Sequence, residues 1–412
     1  MPRCHRRLHP CAALGGVLIA LGVHGHHATP THAAGMSTHF ECVDMAITFV
    51  QPAGNVDLLM ALSRVPPHLL QDGSIFPDWG YAIGLNRDAA ELAHKHAFHE
   101  AALDHLFKTY GPESGWGPHE QRLFAFIFGI ASHVELDDAW HFGHTALLRT
   151  AMREDNASDF QVEVSADLFV QSDHRPGLER FDRWLPVADM IRVYENLGRT
   201  DVTRDQIITG SILQYVALYL EDAFGWMIVR PARDRFPWTE ANYLGWWDGG
   251  VRNGATLTAR TWERMWASWL ERTTPEDEDG IATTGTRHAA PTPTTSAAST
   301  PDRAHHDIDN ADPPTRTRFA LPAAVARSAD VFPSHPHAGS HALIAVAAEL
   351  IQAGAIEVHI EPAGVGSGVG PDPGQSAGEG AGPDAIRVLP PVVRDRAMVE
   401  RHMAAWFADL SR

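Results

Sequence analysis

His133, Asp137 and His141 recur at intervals of four within residues 132–141, SHVELDDAWH. On an α-helix each step of four advances about 40° around the axis, so the three side chains form one short stripe. Two imidazoles and a carboxylate on one helical face make a half-shell for zinc, which takes His nitrogen and Asp oxygen in tetrahedral sites. The preceding run LFAFIFGIAS is apolar enough to bury this helix, so the stripe is expected to line an interior cleft. Four further groups share the chain with it: His39 within STH, Asp78 within FPD, His94, His96 and His99 within HKHAFHE, and the acidic residues of 154–159, with Asp155 and Asp159. Each alone also reads as a helix cap, a turn, a wet helix face or a solvated helix end. Gathered around a His-x3-Asp-x3-His helix, they read better as one metal cleft.

Such a cleft needs facing elements to hold it. From 37 to 272 the apolar residues follow helical spacing almost throughout. Helices are expected over 40–50, 56–64, 89–110, 121–152, 186–197, 203–226, 239–245 and 257–272, with residues 76–80 (FPDWG) as a loop and no strand. The expected fold class is all-α, a helical bundle whose multinuclear metal site is built from facing helices and one loop.

The chain has 412 residues, long enough for two or three units. A hydrophobic content of 44% supplies a core. The net charge of −18 argues against charge-driven binding to a nucleic-acid backbone, though not against phosphate held through metal ions. Residues 1–34 read as a signal peptide: Arg3, Arg6 and Arg7 precede an apolar run over 11–23 that is too short to span a bilayer. Cleavage after Ala33 or Gly35 fits, and the mature protein is expected to be secreted to a periplasmic or extracellular space. Cys4 and Cys11 fall in that leader, which leaves Cys42 and no internal disulfide. Residues 273–318 have the composition of a disordered linker. Residues 319–412 form a small C-terminal segment with a helix expected over 340–353, a strand over 356–360, a Gly-rich stretch over 363–381 and an amphipathic helix over 394–410. Its GVGSGVG lacks the Lys-Ser/Thr of a phosphate loop, and the segment is assigned no chemistry.

The stretches STHF, IFPD, AHKHAF, FGIASHVELDDAWH and NASDF, with WLPVADMIRVYENLGR beyond them, resemble the zinc-dependent phospholipase C/D family. The likeness is greatest to the catalytic domain of its glycosylphosphatidylinositol-specific phospholipase D members, and it runs over residues 35–272. It implies a phospholipase C/nuclease-like helical fold around up to three zinc ions. By position in the motifs, the implied ligands are His39, Asp78, His94 (with His96 as the alternative), His133, Asp137 as a bridge between two ions, His141 and Asp159. Where the family has a His four residues before its last carboxylate, this chain has Asp155. Asp155 could ligate through oxygen and keep the third site with altered affinity, or His144 could turn inward instead. The propeller-type repeats that follow this domain in the glycosylphosphatidylinositol-specific enzymes have no counterpart here.

The implied chemistry is hydrolysis of a phosphodiester in a phospholipid or a glycosylphosphatidylinositol-like lipid by metal-activated water. Asp78 is the candidate catalytic residue, orienting or deprotonating that water. The implied partner is the lipid itself, with peripheral membrane contact and no stable nucleic-acid binding. Trp79, Trp246 and Trp247 are read either as lipid-facing residues of the cleft rim or as core. Two other readings remain open from sequence: a single-strand-type nuclease using the same trinuclear site, and a degenerate relative that binds metal or lipid without hydrolysis.

Overall fold

The computed structural model describes residues 35–81, 85–142, 147–174, 183–245, 247–273, 316–322, 339–363 and 385–410. The expected leader, nearly all of the expected linker, the Gly-rich stretch, His144 and Trp246 lie outside these residues. In chain order the helices are α1 (Met36–Phe49), α2 (Pro52–Ser63), α3 (His68–Ile75), α4 (Arg87–Ala93), α5 (His96–Tyr110), α6 (Pro118–Asp137), α7 (Leu147–Glu154) and α8 (Asp159–Asp173). They continue with α9 (Val187–Asn196), α10 (Arg204–Phe224), α11 (Val229–Arg235), α12 (Pro237–Asn242), α13 (Val251–Thr273), α14 (Gly339–Gln352) and α15 (Arg396–Leu410). The all-α class holds.

Helix α6 is the centre of the core. Proline at its first position sets the helical φ without losing a needed N–H. From Leu123 to Asp137 every side chain is buried, because α1, α3, α5 and α13 pack around it. The α3–α6 contact is the closest, and two glycines permit it. A Cβ on Gly73 would fall 2.0 Å from the Phe126 carbonyl oxygen, and one on Gly129 2.1 Å from that of Leu70. Gly129→Ala must therefore push the two helices apart, and overpacking of this kind costs about 1–3 kcal/mol. Thermal unfolding should show that loss, whereas an unchanged melting temperature would mean that the contact is not tight.

Residues 76–81 are not the loop expected from the proline and glycine there. They form a 3-10 turn, Phe76–Tyr81, that continues α3 directly. Helix α10 fixes this turn from the other side: Gly210 lies against the Trp79 carbonyl, and the Gln214 amide donates to the Ile75 carbonyl at 3.0 Å. Trp79 is fully buried and donates its indole N–H to the Tyr194 hydroxyl at 2.9 Å, so it belongs to the core and not to a lipid-facing rim. The helix expected over 89–110 is broken at His94 and Lys95 into α4 and α5. A polar knot draws α5, α6 and α9 together, since His105, His119 and Tyr110 all bond the Asp189 carboxylate at 2.9–3.1 Å.

One strand interrupts the helical region where none was expected. Residues Arg183–Pro186 (β1) pair antiparallel with a strand of the C-terminal segment some 200 residues away. That segment contributes β2 (Thr317–Arg318), β3 (Ile356–Glu357), β4 (His359–Pro362), β5 (Ala385–Val388) and β6 (Val392–Val393). The order is β1-β5-β4-β2 in one antiparallel sheet, with β3 and β6 paired separately. Leu343, Ile344, Ala347, Ala348 and Leu350 of α14 are buried where α14 packs on α8 and α10. The C-terminal segment thus backs the two helices that support the site from behind. Among the described residues no single helix is long and apolar enough to cross a membrane. Cys42 is buried as a free thiol, pushed up to about 12 by burial.

Candidate metal centre

Three groups of side chains each bring ligand atoms within 4.8 Å of one another: His39, Asp78 and His133; His94, His133 and Asp137; and His141, Asp159 and Glu163. The first two share His133 and form one continuous site. His39, from the first turns of α1, stacks on His133 with ring centroids 3.9 Å apart and 11° between planes. Its Nε2 is 3.3 Å from Asp137 Oδ1. Asp78 comes from the 3-10 turn and His94 from the end of α4. His94 Nε2 reaches Asp78 Oδ1 at 3.0 Å and Asp137 Oδ2 at 3.4 Å, while His133 Nε2 lies 3.2 Å from Asp137 Oδ2.

Outer contacts set the tautomers. A carbonyl can only accept, so the 2.6 Å contact of His133 Nδ1 with Ser74 O and the 2.8 Å contact of His94 Nδ1 with Ala90 O place an N–H at each Nδ1. Both Nε2 atoms then turn toward the cluster, and they stand 2.9 Å from each other. Two neutral imidazoles so arranged aim two lone pairs at one point. A positive charge is required between or beside them, and N and O donors oriented by such outer bonds fit zinc. The proton affinities agree. Burial alone would lower the His94 imidazole, but its bonds to Asp137 and Asp78 push it up to about 10. Burial and the neighbouring His39 lower His133. Asp137 would be raised by burial, yet the surrounding imidazoles of His133, His39 and His94 hold it well below the carboxylate range.

The third group makes the same case more sharply. Glu163 is 1% exposed, its carboxyl is met by Asp159 and by His141 Nε2 3.8 Å away, and neither oxygen is bonded by an N–H or hydroxyl donor. Burial, reinforced by the negative charge of Asp159 and Asp137, raises its carboxyl well above the usual range. A buried carboxylate set this way is strongly unfavourable without a cation.

Two features differ from the expectation drawn from spacing. The stripe of His133, Asp137 and His141 divides between two clusters, because α6 ends at Asp137 and residues Asp138–Phe142 continue as a wider π turn that swings His141 away. Asp155, expected as a ligand, joins neither cluster. Its carboxylate caps α12, accepting from the backbone N–H of Trp238 (2.8 Å) and Thr239 (2.8 Å) and from the Thr239 hydroxyl (2.6 Å). The carboxylate beside Asp159 is instead Glu163, one turn further along α8, a residue the sequence reading omitted. A signal for it exists: Ser158 and Gln161 form a capping box that starts the helix at Asp159 and puts Glu163 on the same face. The alternative to His94, His96, is 53% exposed and faces Glu135 and Asp138 outside the clusters. Asp155→Ala should cost about 1–2 kcal/mol as a lost cap, read by thermal unfolding. Asp155→His should leave the zinc content per chain unchanged by plasma mass spectrometry; a gained ion would make the position a ligand after all.

Residues 38–184, which contain every one of these ligand candidates, match the family described as zinc dependent phospholipase C. This segment of the chain is similar to that family. The zinc-dependent phospholipase C segment has curated relatives among the phosphatidylinositol-glycan-specific phospholipases D. The protein of Homo sapiens is 30% identical over 220 residues, which is 50% of this chain and 25% of that one. The Mus musculus protein is 29% identical over 204 residues (46% and 23%), and that of Dictyostelium discoideum 23% over 216 residues (48% and 22%). The chain thus aligns with about a quarter of the length of the curated relatives it matches. No solved structure matches it.

Proposed function

We propose that this protein is a secreted zinc-dependent phospholipase of C or D type that hydrolyses a phosphodiester in a phospholipid or a glycosylphosphatidylinositol-like lipid. One observation carries the reading: His133 and Asp137 join five ligand side chains into a continuous site, and the buried Glu163 with His141 and Asp159 marks a third position. With up to three zinc ions bound, the centre would neutralise phosphate oxygens and supply hydroxide near neutral pH. His39, Asp78, His94, His133 and Asp137 would hold the first two ions, and His141, Asp159 and Glu163 the third. The Ser74 and Ala90 carbonyls keep His133 and His94 in the tautomer that presents Nε2. Asp78, bonded through Oδ1 to His94 within this cluster, would orient the attacking water or accept its proton, which is our assignment of its catalytic role.

The test uses the full-length, zinc-loaded protein against phosphatidylcholine, phosphatidylinositol and a glycosylphosphatidylinositol-linked protein, with single-stranded DNA alongside. Diacylglycerol as product assigns C-type cleavage and phosphatidic acid assigns D-type. Release from any lipid that stops on chelation and returns with zinc supports the proposal. Cleavage of DNA alone replaces the lipid by a nucleic acid, and bound zinc without any turnover replaces the enzyme by a binding protein.

A further inference from the structure

The α11–α12 corner stands against the α7–α8 corner that leads into Asp159. Besides the cap that Asp155 gives to α12, Arg235 donates to the carbonyls of Asp155 (2.7 Å) and Asn156 (3.0 Å), so five hydrogen bonds lock the two corners together. The chain after α12 returns to the same cleft. The Leu147 N–H donates to the Asp248 carbonyl at 2.8 Å. Gly249, at φ +91°, lies so close to the π turn that a Cβ there would sit 2.9 Å from both the Ala139 oxygen and the Trp140 Cα. That contact is next to His141. Between these two pinned backbones the Trp238 and Trp247 rings meet edge to face, centroids 6.0 Å apart, and Trp247 is left 48% exposed.

We propose that this Trp238–Trp247 corner docks the metal cleft onto the interface of a zwitterionic phospholipid surface. The inference rests on the lipid reading above and adds where the lipid is met. An indole pairs an apolar body with a polar N–H and favours the boundary between headgroups and acyl chains. The backbone at Trp238 and that just after Trp247 contact the segments that lead to Asp159 and His141, so a lipid seated on the two rings would lie on the side of the third cluster. The guanidinium of Arg235 donates to two carbonyls and lies 5.0 Å over the Phe236 ring, so this corner carries a positive charge that complements a lipid phosphate. The chain as a whole carries −18, which opposes an anionic membrane and selects a neutral one.

The experiment is co-sedimentation of the full-length protein with phosphatidylcholine vesicles, measured without turnover on short incubation in the cold, beside zinc content. Trp247→Ala should lower vesicle partitioning roughly ten-fold, the factor expected when on the order of 55 Å² of apolar surface, about a quarter of the side chain, no longer leaves water. Zinc per chain should not change. Trp226→Ala, which removes a more exposed indole on the turn after α10, serves as comparison and should change partitioning less than two-fold. The proposal is overturned if the unmodified protein does not partition, if Trp247→Ala partitions equally, or if both variants lose the same amount. Partitioning through Trp247 without lipid hydrolysis would keep the docking surface and remove the phospholipase reading, so the two can fail separately.

Discussion

Replacing Asp137 by Ala or Asn should strip the continuous part of the centre of its zinc and lower lipid turnover by on the order of a thousandfold, since several kcal/mol of charge stabilisation leave with the ions. The expectation follows from position. Asp137 is the carboxylate that His39, His94 and His133 approach together, at 3.3, 3.4 and 3.2 Å. Without it three buried imidazoles face one another with only Asp78 to balance a divalent charge. Asn keeps the shape and removes the charge, so agreement between the two variants separates loss of ligation from loss of packing. Plasma mass spectrometry and kcat on a lipid substrate are the readouts. Wild-type zinc and wild-type rate in both variants would remove the site.

How much of this was legible in the sequence depends on how local each signal was. His133 and Asp137 could be paired from spacing because both lie on one uninterrupted helix, where four residues bring side chains to one face. His141 could not be placed, since the change from α to π winding after Asp137 carries no mark in SHVELDDAWH. The choice between His94 and His96 turned on a helix break. Asn86 caps α4, His94 ends it with its own Nδ1 on Ala90, and the chain restarts at His96, which therefore points elsewhere. Asp155 shows the limit of motif matching. Its carboxylate is near Asp159 in sequence, but the first turn of α12, some 80 residues away, offers it two amide N–H groups and a hydroxyl, and those decide its direction. The strand Arg183–Pro186 was invisible for the same reason, since its partner is Ala385–Val388 and four residues of RWLP have no period of their own. Interactions closed within a turn or two of helix were readable; those closed by distant segments were not.

Glu163 offers the test that most cleanly tells a ligand from a structural carboxylate. Glu163→Gln should remove one zinc ion per chain and lower turnover about a hundredfold, the loss of one charge-stabilising ion among three. In the metal-stripped protein the same change should act in the opposite direction. Burial and the like charge of Asp159 disfavour an ionised Glu163, so replacing it by a neutral amide should raise the melting temperature of the stripped protein. A carboxylate kept for the fold would behave the other way, with stability lost and zinc unaffected. The paired measurement, thermal unfolding of the stripped protein and zinc content of the loaded one, therefore reads the sign of two effects. Opposite signs identify a residue held at a cost to the fold because the metal needs it.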